Sequence, residues 1–293
     1  RNALPASQDI GDVEVKRFPV LGRGPITWRV YHWCKKRYAS DPKAVYELGL
    51  MLAVGPVSTR LPCAVLAHRR SFALVHLFGV FSAFVGEAFV AARLARLPIV
   101  ITPFVHTTPP VGLDMSWKRR VLKMADHVVA MTSAEKSYLE REIGLCPQQV
   151  SVVSPGLRAS DYPLTEQSEA RQRLGLPDST FVALFIGRKE LYKGIGTLFQ
   201  ACQELWRSSK KKHQLVLIGP GEAPPSAVQG LDKASFDLGQ VDHATKVLAL
   251  NACDCLVFPS RSESFGIVIL EAWAVAKPVV VTRLPPTQEI VTD

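Results

Sequence analysis

Two glutamates eight positions apart, Glu263 and Glu271, are the residues of this chain whose type and spacing first suggest chemistry. Between them, Gly266 lets the backbone approach a ligand closely. If a helix begins near Phe265, the amides around Ser264, Phe265 and Gly266 favour an anion such as a phosphate. Carboxylates accept hydrogen bonds from sugar hydroxyls, and a nucleotide sugar has hydroxyls on both sides of its diphosphate. The alternative is that Glu263 is a solvated loop residue and Glu271 an exposed helical one.

The segment around these glutamates has the pattern of a parallel βαβ unit. Apolar runs at 255–258 and 279–281 predict two buried strands, and residues 265–276 predict the helix between them. Glu271 would then lie about six residues into the helix, roughly 9 Å along its axis at about 1.5 Å per residue. Ligands of such folds gather at the carboxyl ends of the strands, where the loop that contains Glu263 begins.

A second group of candidate residues lies in the sequence FIGRKELYKGIGTL. A predicted strand ends at Gly187, and the cations Arg188 and Lys193 follow before a helix begins near Gly194. Two cations at the carboxyl end of a strand can neutralise a diphosphate, although the same pattern occurs on ordinary loops. Further along, a Gly-Pro turn at Gly219 ends another strand, where a nucleotide base could lie close to the backbone.

Predicted strands and helices alternate along the chain, which indicates two doubly wound α/β domains. The first series has strands at 73–78, 99–103, 127–132 and 150–153 and helices at 84–97, 117–125 and 134–143, the last with Ser133 as its N-cap. After a polar linker at 158–168, the second series has strands at 181–186, 214–218 and 235–238 and helices at 195–207 and 245–252. A strand at 13–20 and a helix at 45–54 are also predicted. We predict domains at 1–156 and 157–293 with a ligand cleft between them.

Positive charge is concentrated in the first half of the chain. The 293 residues have a net charge of +9; residues 1–150 hold 20 Lys or Arg against 11 Asp or Glu, and residues 151–293 hold 15 of each. A basic half favours an anionic partner such as a membrane surface, nucleic acid or a phosphorylated acceptor, but a soluble domain can also simply be basic. Residues 26–37 interleave aromatics with cations, as membrane-surface helices do and as packed helices with snorkelling cations also do.

Cysteine usage points to a reducing compartment. The six cysteines show neither a CxxC pair nor metal-ligand spacing, and four of them lie in apolar surroundings, so reduced thiols are expected. The polar residues 1–12 show no secretory signal. We therefore predict a cytoplasmic protein, with a peripheral position on the inner face of the membrane if residues 26–37 bind lipid.

Taken in order, these motifs resemble those of retaining glycosyltransferases of the GT4 family, which have the GT-B fold. The shared motifs are Gly187-Arg188 with Lys193-Gly194, Gly219-Pro220-Gly221, LGQV at 238–241, PSRSESFG and the two glutamates. The resemblance covers nearly the whole chain and is strong over residues 181–291. It implies two Rossmann-like domains: the first binds a glycan, lipid or small-molecule acceptor, and the second binds a UDP- or GDP-hexose donor. No separate cofactor and no nucleic-acid partner are expected.

The resemblance also implies a role for each charged candidate in the second domain. Arg188 and Lys193 match the family cations on the donor diphosphate, next to Gly187. Glu263 matches the carboxylate that touches the donor sugar, and Glu271 matches the one that binds the ribose hydroxyls.

Further family features concern the backbone and the reaction. Phe265 and Gly266 match positions whose amides approach the sugar and phosphates. His106, in the first domain, matches the family histidine that faces the sugar; the alternative is an ordinary loop histidine. No D-x-D motif occurs in the chain, so metal-independent transfer is expected. In the family the acceptor enters on the face that the diphosphate leaves, and the phosphate takes the proton.

The chain departs from the family pattern at three places. Ala276 stands where the family usually has glycine. The chain is expected to lack the family's first strand with its Gly-rich loop, and also the family elements that would follow Asp293. Two other hypotheses stay open: a non-catalytic GT-B remnant that holds nucleotide or membrane lipid, and a GT-B sugar-nucleotide hydrolase or epimerase.

Overall fold

The structure is a computed structural model, and it describes residues 5–20, 25–40, 45–47, 49–50, 56–80, 82–107, 116–209, 212–222 and 235–292. The chain divides into two compact units. One comprises residues 1–105 and 111–153, and the other comprises residues 106–110 and 154–293. The sequence predicted the domain boundary between residues 156 and 157, and the structure divides the chain between residues 153 and 154. Residue 106 groups with the second unit although it follows a strand of the first.

The first unit is built around a parallel sheet of four strands in the order β3-β4-β5-β6. Its elements are β1 Ser7–Ile10, β2 Val13–Lys16, α1 Pro25–Ser40, α2 Arg60–Ala67, β3 Val75–Phe78, α3 Ala83–Leu94, β4 Ile99–Thr102, α4 Ser116–Met124, β5 His127–Ala130, α5 Ser133–Tyr138 with a π turn at Leu139–Ile143, and β6 Val150–Val152. Strands β1 and β2 form a separate antiparallel hairpin. The helices that follow the strands cover the sheet, so that its parallel strands are buried on both faces.

The second unit contains a parallel sheet of five strands in the order β11-β10-β7-β8-β9. Its elements are α6 Gln167–Leu174, β7 Phe181–Ile186, α7 Ile195–Ser208, β8 His213–Ile218, β9 Ser235–Asp237, α8 His243–Ala252, β10 Cys255–Phe258, α9 Ile267–Ala274, β11 Val279–Val281 and α10 Pro285–Gln288. Strand β7 is the centre of this sheet, paired with β10 on one side and β8 on the other.

Alternate residues of β7 explain how helices cover both faces of the second sheet. Leu184 faces a core that also includes residues of α8 and α9. Phe185, the next residue, faces a core formed with Phe199 and its neighbours on α7. This two-residue period fixes which side chains enter each core. Because β7 and β10 are parallel neighbours, the loops that follow them leave the sheet at the same edge.

Most of the predicted elements are confirmed. The strands predicted at 181–186, 255–258 and 279–281 have the bounds predicted from the sequence, and the other strands of the two sheets differ by one or two residues at an end. The predicted strand at 13–20 ends at Lys16. The predicted helix at 45–54 falls partly outside the described residues: 45–47 and 49–50 are helical. Among the helices of the described residues, none has both the length and the apolar content that crossing a bilayer requires.

Three local predictions were wrong. Helix α9 begins at Ile267 rather than near residue 265, because Gly266 adopts φ +95°, outside helical geometry, and acts as its N-cap. The predicted linker at 158–168 overlaps α6, whose first residue is Gln167. Helix α5 is capped by Thr132 rather than Ser133: Thr132 is the residue in extended conformation, and its hydroxyl accepts a hydrogen bond from a backbone amide of the first turn.

Candidate functional site

Three loops pack backbone to backbone at the carboxyl edge of the second sheet. A Cβ added to Gly194, which follows β7, would lie 1.9 Å from the carbonyl oxygen of Pro259, which follows β10. A Cβ added to Gly219, which follows β8, would lie 2.1 Å from the carbonyl oxygen of Gly187. Both glycines have φ above +70°. No other residue type fits at either position, so the sequence can bring these loops together only with glycine.

Hydrogen bonds fasten the loop after β10 to the loop after β7. The backbone amide of Arg261 donates to the carbonyl of Tyr192 at 2.8 Å. The Arg261 guanidinium donates to the Thr197 hydroxyl, in the first turn of α7, at 3.1 Å. The residues that follow β10 therefore have a fixed position relative to the cations that follow β7.

Lys193 and Glu263 form an ion pair at this edge. Lys193 Nζ lies 2.5 Å from Glu263 Oε1, and the two side chains are 14% and 7% exposed. The alternative that Glu263 is a solvated loop residue is therefore wrong. No other described residue hydrogen-bonds this carboxylate, so Oε2 remains available as an acceptor.

Arg188 and Tyr192 lie beside this pair. The Arg188 guanidinium donates to the Tyr192 hydroxyl and lies 5.4 Å from the centre of its ring, and Lys193 Nζ lies 5.3 Å from the same centre. Arg188 also pairs with Glu190 at 3.2 Å, where both side chains are about half exposed. Exposed pairs of this kind contribute little, about 0–1 kcal/mol, so Arg188 can turn toward a better anionic partner.

His106 belongs to the same cluster. Its Nδ1 lies 3.0 Å from the hydroxyl oxygen of Ser262, and its ring centre lies 6.4 Å from that of Tyr192. Burial lowers the pKa of His106 below its usual value; Glu263 opposes this change, and Lys193 and Arg188 add to it. The imidazole is therefore neutral near pH 7, with one nitrogen able to donate a hydrogen bond and the other able to accept one.

Glu271 belongs to a second cluster. It is the fifth residue of α9 and is 5% exposed, so the alternative of an exposed helical glutamate is wrong. Its Oε1 accepts hydrogen bonds from Lys246 Nζ at 2.5 Å and from the Tyr162 hydroxyl at 2.9 Å. Burial raises the pKa of Tyr162, and so do its hydrogen bond to Glu271 and the charge of that glutamate. Oε2 of Glu271 has no hydrogen-bond partner among the described residues.

Two lysines that organise this edge, Lys189 and Lys246, were not predicted from the sequence. Lys189 has a side chain only 1% exposed, and its ammonium donates to the carbonyls of Gly219 at 2.5 Å and Gly221 at 3.2 Å. It also pairs with Asp237, the last residue of β9, at 2.9 Å. Lys189 and Lys246 look like solvated lysines in the sequence, because their acceptors lie tens of residues away along the chain.

The structure thus places the predicted residues in two clusters, a close glycine contact and a connecting segment. His106, Arg188, Lys193 and Glu263 form the first cluster, and Glu271 lies in the second. Gly187 and Gly219 form the close contact between two loops. Ser264, buried Phe265 and the N-cap Gly266 connect Glu263 to α9. A role of any of these residues in ligand binding stays a prediction.

Two family models match the chain and between them cover most of it. The model described as Glycosyltransferase Family 4 matches residues 29–160, and the model described as Glycosyl transferases group 1 matches residues 166–293. The chain belongs to this glycosyltransferase family. The family resemblance predicted from the motifs of residues 181–291 is confirmed.

The curated relatives that resemble this chain are named as glycosyltransferases. A D-inositol 3-phosphate glycosyltransferase of Kineococcus radiotolerans is 35% identical over 192 residues, which are 60% of this chain and 44% of the relative. D-inositol 3-phosphate glycosyltransferase 2 of Catenulispora acidiphila is 34% identical over 188 residues, 59% of this chain and 44% of the relative. The matched region thus spans less than half the length of either relative.

Solved structures whose sequences have low identity to this chain share its fold. Sucrose-phosphate synthase of Thermosynechococcus elongatus has a TM-score of 0.71 at 19% identity, covering 98% of this chain and 70% of that one. Anabaena HepE in complex with UDP and glucose has a TM-score of 0.66 at 22% identity, covering 80% of this chain and 65% of that one. The predicted GT-B fold of two Rossmann-like domains is confirmed.

Proposed function

We propose that the protein transfers a hexose from a UDP- or GDP-hexose to a glycan, lipid or small-molecule acceptor, with retention of configuration and without a divalent metal. The observation that carries this proposal is the cluster of Arg188, Lys193, Glu263 and His106 at the carboxyl edge of β7 and β10, in a chain of a glycosyltransferase family. The UDP complex of HepE supports UDP as the first nucleotide to test. The names of the curated relatives support a phosphorylated polyol as one acceptor to test.

The donor diphosphate would bind where the cations and two helix ends converge. Arg188 is held by an exposed pair with Glu190 and by its contacts with Tyr192, and Lys193 reaches the same site from the short helical turn that precedes α7. Helices α7 and α9 begin directly after their N-caps, Gly194 and Gly266, and the amides of a first helical turn have no acceptor within the helix. A diphosphate can accept from both kinds of donor, so its charge is stabilised without a metal.

The two carboxylates would bind the hydroxyls on either side of the diphosphate. Each glutamate is paired with a lysine through Oε1, and each has Oε2 available. Glu263 would accept from a hydroxyl of the hexose, and Glu271 from the ribose. Because each carboxylate is already fixed by its lysine, little conformational freedom is lost when the donor binds.

The chemical step follows from charge. The bond between the anomeric carbon and the diphosphate oxygen breaks, and its electron pair goes to the diphosphate. Arg188, Lys193 and the helix amides stabilise that charge more in the transition state than before it. The acceptor oxygen bonds to the anomeric carbon on the same face, and its proton passes to the departing phosphate. Neutral His106 donates or accepts a hydrogen bond on the sugar.

A titration of the nucleotide tests the donor site. We expect Lys193→Ala and Glu271→Ala each to weaken UDP or GDP binding by about 10-fold to 100-fold, because a hydrogen bond to a charged group contributes about 1.5–3 kcal/mol. Isothermal titration calorimetry in the presence of EDTA measures the affinity. Exposed residues of α7 supply the controls, Glu204→Ala and Arg207→Ala, which should bind as the wild type does.

Four results would count against this proposal. Unchanged affinity in both Lys193→Ala and Glu271→Ala would remove the donor-site assignment. Hexosyl transfer that is abolished by EDTA and restored only by Mg²⁺ would contradict metal independence. Nucleotide binding without any turnover would favour the non-catalytic hypothesis, and release of free hexose would favour a hydrolase.

We further propose that α1 places the protein on an anionic membrane surface at its cytoplasmic face. Trp33 and Val30 are 55% and 41% exposed, and the Trp33 ring touches that of Tyr46 edge-on, with ring centres 5.4 Å apart. Cations accompany the aromatic rings: Lys35 lies 5.8 Å from the ring centre of Tyr31, and Arg37 lies 6.0 Å from that of Trp33. Exposed tryptophan next to lysine and arginine is typical of helices at the membrane interface.

A further inference from the structure

We propose that Lys246 is a positioning residue of the donor site, which holds Glu271 so that its second oxygen meets the ribose hydroxyls of a nucleoside diphosphate. This inference rests on the proposed function, because it assigns the ribose to Glu271. Lys246 is not among the residues that the family motifs single out, and its place follows from the contacts around this one carboxylate.

Two donors clamp one oxygen of Glu271. Lys246 Nζ and the Tyr162 hydroxyl both reach Oε1, at 2.5 and 2.9 Å. Two donors on Oε1 fix the plane of the carboxylate and direct Oε2 away from both. A carboxylate held in this way presents one acceptor in one direction, which is the requirement for recognising a hydroxyl at a defined place.

The two donors are themselves held in place. Helix α8, which contains Lys246, is capped by Asp242, whose carboxylate accepts from the Thr245 amide at 2.8 Å. The Tyr162 ring packs edge-on against His243, with ring centres 5.1 Å apart, and Lys246 Nζ lies 5.9 Å from the Tyr162 ring centre. The first turn of α8 and the segment before α6 therefore form a rigid support for the glutamate.

Charge explains why a lysine is needed here. Glu271 is 5% exposed, and Lys246 is the cation paired with it. Without this lysine, a buried carboxylate would lose its counter-charge and one of its two anchors. A purely structural pair that only joins α8 to α9 would affect stability, whereas a positioning residue also affects how the protein distinguishes ribose from 2′-deoxyribose.

The experiment compares UDP with 2′-deoxy-UDP by calorimetry, or GDP with its 2′-deoxy analogue if the protein prefers guanine. We expect the wild type to bind the ribonucleotide about 10-fold more tightly, because a hydrogen bond to a carboxylate is lost in the analogue. Lys246→Met should weaken UDP binding by about 10-fold and bring the ratio of the two affinities close to one. Lys246→Arg should restore part of the ratio.

A matched control is Arg171→Met, which breaks another buried ion pair of the second unit, between Arg171 and Asp254 at 2.7 Å. This variant should lower the melting temperature and leave the affinity ratio unchanged. If Lys246→Met does not fold, Lys246→Gln replaces it, with the same expected direction.

The outcomes separate the two proposals. Wild-type protein that binds neither UDP nor GDP would overturn the proposed function and this inference with it. Wild-type protein that binds UDP and prefers ribose, together with an unchanged preference in the Lys246 variant, would overturn only the role of Lys246.

Discussion

At the scale of single residues, Glu135 is a buried carboxylate whose oxygens are bound by backbone amides. This carboxylate has no exposed surface. Its two oxygens accept from the amides of Val105 at 2.6 Å and Met131 at 2.7 Å. Burial raises the pKa of Glu135 to about 7, and the two amides only partly oppose that rise. A glutamate in the core of the first unit therefore titrates near neutral pH.

The raised pKa predicts that Glu135 makes the protein less stable as pH rises. Its ordinary value is 4.5 and its folded value is about 7, so the folded state holds this proton more tightly than the unfolded chain. The stabilisation is complete below pH 4.5 and is lost as pH rises through about 7, a change of roughly 3 kcal/mol. In Glu135→Gln this contribution is absent. Chemical unfolding from pH 5 to pH 8 should therefore show the wild type losing roughly 3 kcal/mol relative to the variant.

Glu169→Gln is the control for this prediction, because Glu169 is an exposed residue of α6. Its stability should follow that of the wild type at every pH. Parallel curves for the wild type and Glu135→Gln would show that Glu135 has an ordinary pKa in the folded state.

The contacts of Glu135 also mark a limit of sequence analysis at this scale. The pattern Thr132-x-x-Glu135 is that of a capping box, and Thr132 does cap α5. The carboxylate instead reaches Val105, 30 residues earlier in the chain. Local spacing determines the cap, whereas the partner of the carboxylate depends on which strands become neighbours. Lys189 and Lys246 were not predicted for the same reason, because their partners also come from elements that are distant along the chain.

At the scale of elements, helix α9 ends in a left-handed residue that is not glycine. Ala276 has φ +56°. Its amide donates to the carbonyl of Trp273 at 2.9 Å, and the Lys277 amide donates to that of Ala272 at 2.9 Å. These two bonds define a Schellman motif, in which glycine is favoured at the position of Ala276. The departure from the family pattern at this position is therefore a strained helix end.

We expect Ala276→Gly to stabilise the protein by about 0.5–1 kcal/mol. A left-handed conformation costs a residue with a side chain about 1–2 kcal/mol, and glycine loses about 0.5–1 kcal/mol more backbone entropy on folding. The unfolding midpoint in urea measures the difference. A lower midpoint in Ala276→Gly would show that the alanine side chain contributes packing that outweighs the strain.

Helix α6 supplies the matched control, because it ends in the same motif with glycine. Gly175 has φ +69°, its amide donates to Gln172, and the Leu176 amide donates to Arg171. A Cβ added at Gly175 would contact nothing within 4 Å, so Gly175→Ala tests the backbone alone. We expect this variant to lose about 1 kcal/mol.

The strands were easier to predict than the ends of the helices. A strand such as Cys255–Phe258 is a continuous apolar run, because both of its faces are buried, and the run begins and ends with the strand. The start of α9 depends on the φ angle of Gly266, which the apolar pattern does not contain. The ion pairs of Glu263 and Glu271 could not be predicted from the local sequence pattern either, since their lysines come from other elements.

At the scale of the whole molecule, the basic first half and the exposed face of α1 predict binding to anionic vesicles. We expect the protein to bind phosphatidylserine vesicles at low salt and to be released as salt rises, because the attraction to anionic lipid is screened. Trp33→Ala should weaken this binding, since the indole would lie at the level of the headgroups. Vesicle co-sedimentation at two salt concentrations measures both effects.

The control for this prediction is Trp273→Ala, which removes a tryptophan of the second unit that is 41% exposed. Its vesicle binding should equal that of the wild type. Absence of wild-type binding at low salt would refute the membrane proposal, and equal loss in both variants would show that residues 26–37 are not the contact.

The central position of β7 has a consequence for biosynthesis. Strand β7 leaves the ribosome first among the strands of its sheet, yet its partner β10 lies about 70 residues further along the chain. Until Phe258 has emerged, one edge of an apolar strand has no neighbour to hydrogen-bond, and such edges recruit other chains. Nascent chains stalled between β8 and β10 should therefore engage holdase chaperones, and those stalled beyond β11 should release them.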